Sequence, residues 1–132
     1  MAPVQLRLVL TVDDFEAALA FYRDALGLPE HDAWESEGDD ARIAILDAGR
    51  ATLELVNEGQ AAAIDRIEVG KRVAGPVRIA FEVDDSEAVA RRLVEAGAEQ
   101  LAEPVTTPWN DRNVRLQAPD GMQLTLFAAL GE

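Results

Sequence analysis

The sequence predicts an α+β fold made of two tandem copies of one strand–helix–strand–strand–strand (βαβββ) module. Two observations carry this prediction. An apolar strand that runs through an acidic cap into an amphipathic helix occupies residues 7–28, and the same succession recurs at residues 78–99. Each copy is followed by stretches in which apolar and polar residues alternate, a pattern typical of strands with one buried face.

A constant shift of 71 residues superposes the two copies and carries Arg7 onto Arg78. The shift needs no gap and continues into the strands that follow each helix. The apolar positions that it matches there are Ile43 with Val114, Ile45 with Leu116, Leu53 with Leu124, and Leu55 with Leu126. We therefore expect a single domain over residues 1–132, with module 1 at about 4–57, a linker at 58–75 and module 2 at about 76–130.

The first module begins with a strand predicted at residues 5–12, in which leucines on one face alternate with Arg7 and its neighbours on the other. Asp13 is the predicted N-cap of the following helix, with Glu16 as its capping-box partner. The helix carries an apolar stripe that is expected to pack on the leucines, formed by Phe15, Ala18, Leu19, Tyr22 and Leu26. Gly27 is expected to end the helix.

The acidic stretch at residues 30–40 contains His31, the one histidine of the chain, and Trp34, and it is predicted to form a short edge strand and a loop. A hairpin of strands at 41–47 and 51–56 follows. Its second strand is expected to turn Leu53 and Leu55 toward the helix and Thr52, Glu54 and Val56 to the opposite face. Within the linker, a short helix is predicted at residues 60–65.

The second module repeats this order with a strand at residues 77–83 and a helix at 86–96, which Asp84 or Asp85 caps and Gly97 ends. Its remaining predicted elements are a strand near 99–103, a loop at 104–110 that carries Trp109, and a hairpin of strands at 113–117 and 122–128.

Composition and charge exclude several classes of function. The formal net charge of −13 repels phosphate backbones, which argues against nucleic-acid binding. The same charge would attract a cationic small molecule, or it serves solubility alone. Without cysteine the chain has no disulfides and no thiolate chemistry. No apolar run is long enough to cross a bilayer, so we expect no membrane association and a cytoplasmic protein.

The tandem pattern, with VDDFEAALAFYRDALGL near its start and APDGMQLTLF near its end, resembles the vicinal oxygen chelate superfamily. That superfamily includes glyoxalase I, extradiol dioxygenases, methylmalonyl-CoA epimerase, and fosfomycin- and bleomycin-resistance proteins. The resemblance covers almost the whole chain. It implies curled, half-barrel mixed sheets with helices on the outside and a cavity inside, formed within one chain or between two.

The resemblance also implies where metal ligands would lie, on the first and last strands of each module. These positions fall on Arg7, Glu54, Arg78 and Thr125. Arginine stays protonated and offers no lone pair, so it cannot ligate a metal ion. We therefore expect neither a metal nor another cofactor, and no role for His31 as a substitute ligand.

Other roles remain for these four residues. Arg7 and Glu54 are predicted to form a cross-strand ion pair, which leaves Arg78 as the better candidate to bind an anionic or carbonyl group of a ligand. Trp34 and Trp109 are placed in loops at similar ends of the two modules, where they either cover the sheet edge or form an aromatic wall of the cavity, as in the bleomycin-resistance branch.

The leading prediction is a metal-free small-molecule binding protein of the bleomycin-resistance type that sequesters its ligand, such as an antibiotic. The first alternative is an enzyme: a glyoxalase-like lyase, dioxygenase or epimerase with a misassigned metal site, or one that uses Glu54 as a base without metal. The second is a non-catalytic interaction domain. We also expect a homodimer, because such sheets leave edges and apolar surface for a partner to cover.

Overall fold

In the computed structural model, which describes residues 2–38 and 40–131, the strands form one mixed sheet that curls without closing. In chain order the elements are β1 (Gln5–Thr11), α1 (Phe15–Leu19), a π-helical continuation of α1 (Ala20–Ala25), β2 (Glu30–Glu35), β3 (Arg42–Ala48), β4 (Ala51–Val56), α2 (Glu58–Glu68), β5 (Val77–Glu82), α3 (Ser86–Glu95), β6 (Glu99–Gln100), β7 (Val105–Thr106), β8 (Asp111–Gln117) and β9 (Gln123–Ala129). No helix in these two ranges is long and apolar enough to cross a membrane.

The two modules join side by side in the sheet. The strand order is β2-β3-β4-β1-β5-β9-β8-β6, with β7 paired to β8. At the centre β1 and β5 are antiparallel, with Val9 opposite Arg78. Within each module the first strand is parallel to the last, β1 to β4 and β5 to β9. The inner face of the sheet is therefore continuous from one module to the other within a single chain.

The first helix lies at its predicted position, but its N-cap is not the predicted residue. Asp14, in an extended conformation, accepts a hydrogen bond from the backbone N–H of Ala17 at 3.0 Å, so Asp14 is the N-cap and Asp13 is not. A capping carboxylate reaches the N–H three residues further on, and only Asp14 has the correct spacing to the first helical residue. Asp85 caps α3 in the same way through Ala88.

The end of the first helix departs from the predicted stripe. Phe15 and Leu19 are buried, but the π-helical turn that follows changes the direction in which later side chains point, and Leu26 is 62% exposed. Gly27 lies at φ 87°, a conformation that favours glycine, and the helix ends there as expected.

Two apolar cores lie on the outer face of the sheet, one under each of α1 and α3. The first contains Phe15, Leu19, Ala44, Leu46 and Leu55. The second contains Val83, Ala90, Val114, Leu116 and Leu126. Leu55 and Leu126 occupy matching positions of the two modules, so the internal repeat is a repeat of core packing as well as of sequence.

The helix between the modules is longer than predicted and lies on the other face of the sheet. α2 runs from Glu58 to Glu68, beyond the short helix expected at 60–65. Asn57 caps it by accepting from the N–H of Gln60 at 2.9 Å. Its Ala61 packs with Val9 and Val56 on the inner face. The module helices α1 and α3 therefore lie outside the sheet as expected, and the connecting helix α2 lies over its inner face.

The repeat contains a one-residue gap that the sequence comparison missed. Ile45 is opposite Glu54 in module 1, whereas Arg115 is opposite Thr125 in module 2. The strands β3 and β8 thus correspond with a shift of 70 residues, although β4 and β9 keep the shift of 71. The predicted match of Ile45 with Leu116 is wrong, since Ile45 faces inward and Leu116 lies under α3. Because side chains alternate along a strand, one residue of shift reverses the face of every position.

Candidate functional site

A cavity of about 590 Å³ lies between the inner face of the sheet, α2 and the turn that carries Trp109. Both modules of the one chain contribute to its walls. Its apolar lining is Val9, Ala33, Trp34, Ile43, Ile45, Ile64, Ala80, Pro108, Trp109 and Phe127. Its polar lining is Arg7, His31, Asp32, Glu54, Gln60, Glu68, Arg78, Asp111, Asn113 and Thr125.

The four positions singled out in the sequence all line this cavity. Glu54 and Arg78 lie on either side of Val9, which pairs with both across β1. Arg7 and Thr125 lie on either side of Ala80 in the same way. The row Glu54, Val9, Arg78 and the row Arg7, Ala80, Thr125 are related by the local two-fold symmetry of the β1–β5 pair. This arrangement brings residues distant in sequence to one patch of the sheet.

Arg7 and Glu54 form the predicted ion pair, with Nη1 3.7 Å from Oε1. The separation is longer than a hydrogen bond, and the two residues lie diagonally across the parallel strands. The Arg7 guanidinium also lies 4.8 Å from the ring centre of Phe127 and donates to Gln5 at 2.9 Å. Burial raises the pKa of the Glu54 carboxyl above its ordinary value, and the positive charges of Arg78 and Arg7 offset this only in part.

Arg78 is far more enclosed than the sequence indicated. It is the residue predicted to bind an anionic or carbonyl group of a ligand, yet only 8% of its surface is exposed. Its Nη1 donates to Thr125 Oγ1 at 2.8 Å. That hydroxyl donates in turn to Glu68 Oε1 at 2.8 Å, so Arg78 is held in place by a chain of hydrogen bonds that ends on α2.

Arg115 is the centre of a buried network that sequence reasoning missed. It is 1% exposed and donates from Nε to Glu68 Oε1 at 2.9 Å and from Nη1 to Asp65 Oδ1 at 2.8 Å. It also contacts Gln123 and Thr125. These contacts join β8 and β9 to α2, which fixes the helix over the inner face of module 2.

Asp65 extends the network to the segment after α2. Its Oδ2 accepts from the backbone N–H groups of Val73 and Ala74 at 2.7 and 2.9 Å and from Arg72 Nη1 at 3.0 Å. Burial disfavours its charge, but these backbone N–H groups and Arg115 outweigh that effect and hold the pKa of Asp65 below its usual value. One carboxylate thus connects α2 to the segment that follows it and to β8.

The network was missed for two reasons. The gapless shift of 71 matched Arg115 with Ala44, a residue that faces the first core. The segment 58–75 was also assigned as a linker, so Asp65 and Glu68 were not considered as partners. A strict period-two pattern along β8 would have placed Arg115 on the inner face, because Val114 and Leu116 lie on the outer face on either side of it.

The two tryptophans lie at the mouth of the cavity, 57% and 51% exposed. Trp34 belongs to the edge strand β2 and is not in a loop. Trp109 lies in a turn and donates from Nε1 to Asp111 Oδ2 at 3.1 Å. His31, for which no role as a metal ligand is expected, also lines the mouth, with Nδ1 3.4 Å from Asp47 Oδ1.

The donor set does not fit a divalent metal ion. Of the four positions that the resemblance assigns to ligands, two hold arginines and only Glu54 offers a carboxylate, which faces Arg7. Within residues 2–38 and 40–131 there is no group of three or more histidine, aspartate or glutamate side chains that could hold a metal. We therefore derive no chemistry through a metal ion.

The fold and the sequence together define the class of protein. The family model of the Glyoxalase/Bleomycin resistance protein/Dioxygenase superfamily matches residues 5–126, and the chain belongs to this family. The resemblance noted in the sequence is thus confirmed. A search of curated proteins finds no match to the chain.

Solved structures with the same fold include three of particular interest. A hypothetical protein from Bacillus halodurans C-125 has a TM-score of 0.69 at 20% identity, covering 96% of this chain and 94% of its own. A Streptomyces coelicolor methylmalonyl-CoA epimerase bound to 2-nitronate-propionyl-CoA has a TM-score of 0.67 at 22% identity, covering 99% of both chains. The methylmalonyl-CoA epimerase of Mycobacterium tuberculosis has a TM-score of 0.67 at 22% identity, covering 98% and 90%. At these identities the likeness concerns the fold.

Proposed function

We propose that the protein binds a small molecule in the cavity between its two modules and sequesters it without a metal ion, as a bleomycin-resistance-type protein would hold an antibiotic. The observation that carries the proposal is the cavity itself. A volume of about 590 Å³ is within the range of small-molecule sites, and apolar walls with a few converging polar groups are typical of them.

The polar groups favour a ligand with an anionic or carbonyl oxygen near the centre of the sheet. Arg78 uses Nη1 for Thr125, and its other donors make no hydrogen bond with the described residues. A guanidinium held by one bond presents the rest of its planar fork to a ligand. The two tryptophans at the mouth would contact a flat portion of the same ligand.

Tryptophan fluorescence tests this proposal, because both indoles of the chain line the cavity mouth. The titration uses planar cationic antibiotics and small carboxylates. We expect saturable quenching without turnover, and at least a tenfold loss of carboxylate affinity in Arg78→Met, since charge-assisted hydrogen bonds contribute about 1.5–3 kcal/mol. Arg50→Met removes the same charge from an exposed turn and serves as the control. A panel that leaves the fluorescence unchanged throughout would contradict the proposal.

The absence of a metal from the binding site is tested separately. Protein purified without a histidine tag should contain no stoichiometric divalent metal by elemental analysis, and a chelator should leave the melting temperature unchanged, because the arginines at two ligand positions repel a cation. A drop of several degrees on chelation would show that the ligand positions are misassigned.

A second candidate function is metal-independent proton transfer next to a carbonyl group. It is favoured by Glu54, a buried carboxyl in the cavity wall whose raised pKa suits a general base, with Arg78 on the far side of Val9 to stabilise developing negative charge. The structural neighbours that are methylmalonyl-CoA epimerases make their substrate a reasonable probe.

Solvent deuterium exchange distinguishes this candidate from simple binding. If Glu54 is a base, methylmalonyl-CoA in D₂O should gain deuterium at its acidic carbon in the presence of the protein, as followed by proton NMR. Glu54→Gln should abolish the exchange while ligand binding persists. Exchange no faster than in buffer would exclude this reaction for that substrate.

We also propose that the protein is a two-fold homodimer. Leu6 and Val77, at opposite ends of the β1–β5 pair on the outer face, are 38% and 37% exposed, and Val4 at the Leu6 end is 69% exposed. Light scattering at micromolar concentration should give twice the mass of the chain, and a monomer at that concentration would refute the dimer.

A further inference from the structure

Several polar groups that line the cavity are not available to a ligand. Both oxygens of Glu68 accept hydrogen bonds from neighbouring side chains, and the hydroxyl of Thr125 bonds to Arg78 and Glu68. Four buried side-chain atoms of the described residues have no partner and are sealed from the cavity: Thr52 Oγ1, Gln60 Oε1, Asn113 Oδ1 and Arg115 Nη2. A ligand must therefore be recognised by groups that are both unpaired and open.

The carboxyl group of Glu54 meets both conditions. Glu54 lines the cavity and is 7% exposed. Its oxygens accept no hydrogen bond from the described residues, and its ion pair with Arg7 spans 3.7 Å. Neither oxygen is among the sealed atoms, so each has surface open to the cavity. A carboxyl group offers an accepting oxygen whether it is ionised or protonated.

The guanidinium of Arg78 is open in the same way. Nη1 donates to Thr125, whereas Nε and Nη2 have no partner in the described part of the chain and are not sealed. Burial disfavours the charge of Arg78 and lowers its pKa. An anion would compensate such a buried cation, and the two parallel N–H groups of one guanidinium edge match the two oxygens of a carboxylate.

Glu54 and Arg78 act on the same small region of the inner face. Each pairs with Val9, so their Cα atoms lie two strand spacings, roughly 10 Å, apart. One small ligand group can therefore accept from Arg78 on one side and donate to Glu54 on the other. An ammonium donor is disfavoured, because Arg7 and Arg78 both place positive charge beside Glu54. A neutral O–H donor avoids this repulsion.

We propose that the ligand is an α-hydroxycarboxylate with an apolar substituent, whose carboxylate binds the Nε and Nη2 edge of Arg78 while its hydroxyl donates to Glu54. The inference rests on the proposed binding function and adds the chemical class of the ligand. The substituent would lie against the apolar walls, which include Ile45, Ile64 and Phe127. A carboxylate without the hydroxyl is selected against, because it takes water from Glu54 and returns no donor.

Phenyllactate and hydrocinnamate test this selection, because they differ in one hydroxyl group. Isothermal titration calorimetry measures the dissociation constants, with each enantiomer of phenyllactate titrated separately. We expect the better enantiomer to bind at least tenfold more tightly than hydrocinnamate, the scale of one hydrogen bond to a carboxyl group. Phenylalanine of the same configuration carries an ammonium in place of the hydroxyl and should bind more weakly than phenyllactate.

Three variants locate the acceptor. Glu54→Met removes both oxygens at similar length and should bring the ratio of the phenyllactate and hydrocinnamate affinities close to one. Glu54→Gln keeps a carbonyl oxygen at the same place and should preserve the preference. Glu99→Met removes the same charge from the exposed strand β6 and should leave the ratio unchanged.

A spectroscopic measurement covers the case in which Glu54→Met does not fold. In protein labelled with ¹³C at the glutamate carboxyl carbons, the Glu54 resonance is assigned by its absence from Glu54→Gln. This resonance should shift with phenyllactate and much less with hydrocinnamate. A shift of equal size with the two acids would contradict the hydrogen bond to Glu54.

The outcomes separate this inference from the proposed function. Equal affinities for the two acids, a preference that survives Glu54→Met, or tighter binding of phenylalanine than of phenyllactate would overturn the inference and leave the cavity as a binding site. Binding of a member of the antibiotic panel without binding of either acid would do the same. If no compound of either set binds, both the inference and the proposed function fail.

Discussion

The inner faces of the two modules carry matching positions but differ in how they are held. In module 1 the pair opposite one another on the last two strands is Ile45 and Glu54, and the carboxylate meets Arg7 at 3.7 Å beside the open cavity. In module 2 the pair is Arg115 and Thr125, and both are tied to α2 through Glu68.

This difference indicates that the two modules of one duplicated fold have different roles. Module 2 uses its inner face to fix α2, the segment after it, and the side chains of Arg78 and Asn113. Module 1 has an apolar wall and a buried carboxyl whose ion pair with Arg7 is longer than a hydrogen bond. Under the proposed binding function, the side chains that module 2 holds in place would lose less entropy when a ligand binds.

The largest effect is expected from breaking the network of module 2. Arg115→Met should cost about 3–5 kcal/mol of unfolding free energy, because it leaves the carboxylates of Asp65 and Glu68 buried with fewer partners. Chemical denaturation measures the loss. Arg112→Met on the same strand removes a partly exposed pair with Glu87 and should cost less than about 1 kcal/mol. Equal losses in the two variants would show that burial of the network adds nothing.

A smaller effect is expected from the charge pair of module 1. Arg7→Ala leaves Glu54 without its nearest cation and removes the contact with Phe127, and it should cost about 1–3 kcal/mol, less than a fully buried pair because Arg7 is partly exposed. Arg78→Ala should also lower stability, because its side chain is buried, and it should in addition weaken ligand binding. Thermal unfolding with fluorescence titration of both variants compares them. If Arg7→Ala weakens binding as much as Arg78→Ala does, the predicted division between the two arginines is wrong.

The pH dependence of the unfolding free energy should reveal the raised pKa of Glu54. The pKa of the Glu54 carboxyl is raised on folding above its ordinary value of 4.5. At pH values just above 4.5 the folded state therefore still holds the proton, whereas the unfolded state has lost it. Stability consequently falls as the pH rises from 4.5 to the pKa of the folded state. Glu54→Gln removes this fall. The unfolding free energy of the variant minus that of the wild type should therefore increase with pH from about 4.5 upward and level off once Glu54 ionises. A difference that is flat with pH would mean that Glu54 has no raised pKa.

The smallest stability effect is expected at Gln60. Gln60→Met removes a buried oxygen that has no donor and replaces it with an apolar side chain of similar length. The unfolding free energy should stay unchanged or rise by about 1 kcal/mol, since the penalty of an unpaired acceptor is relieved. A clear loss of stability in urea denaturation would show that the amide makes a contact important to the fold.

The family resemblance singled out Arg7, Glu54, Arg78 and Thr125, whereas the sequence by itself determined the repeated module, the positions of most helices and strands, and the face of the sheet on which these four residues lie. These follow from periodicity, which is a local property: alternate residues of a strand share a face, and a helix repeats every three to four residues. The cap at Asp14 instead of Asp13 was missed by one residue, within the ordinary uncertainty of helix ends.

Tertiary structure alone decided what those residues touch. The one-residue gap between β3 and β8 placed Arg115 on the inner face, and the packing of α2 across that face brought Asp65 and Glu68, 50 and 47 residues away in sequence, into contact with it. Neither fact is local, because the register of a strand and the docking of a helix depend on the whole sheet. The same packing buried Arg78 and held the Asn113 amide against Glu68, and these contacts define the candidate site.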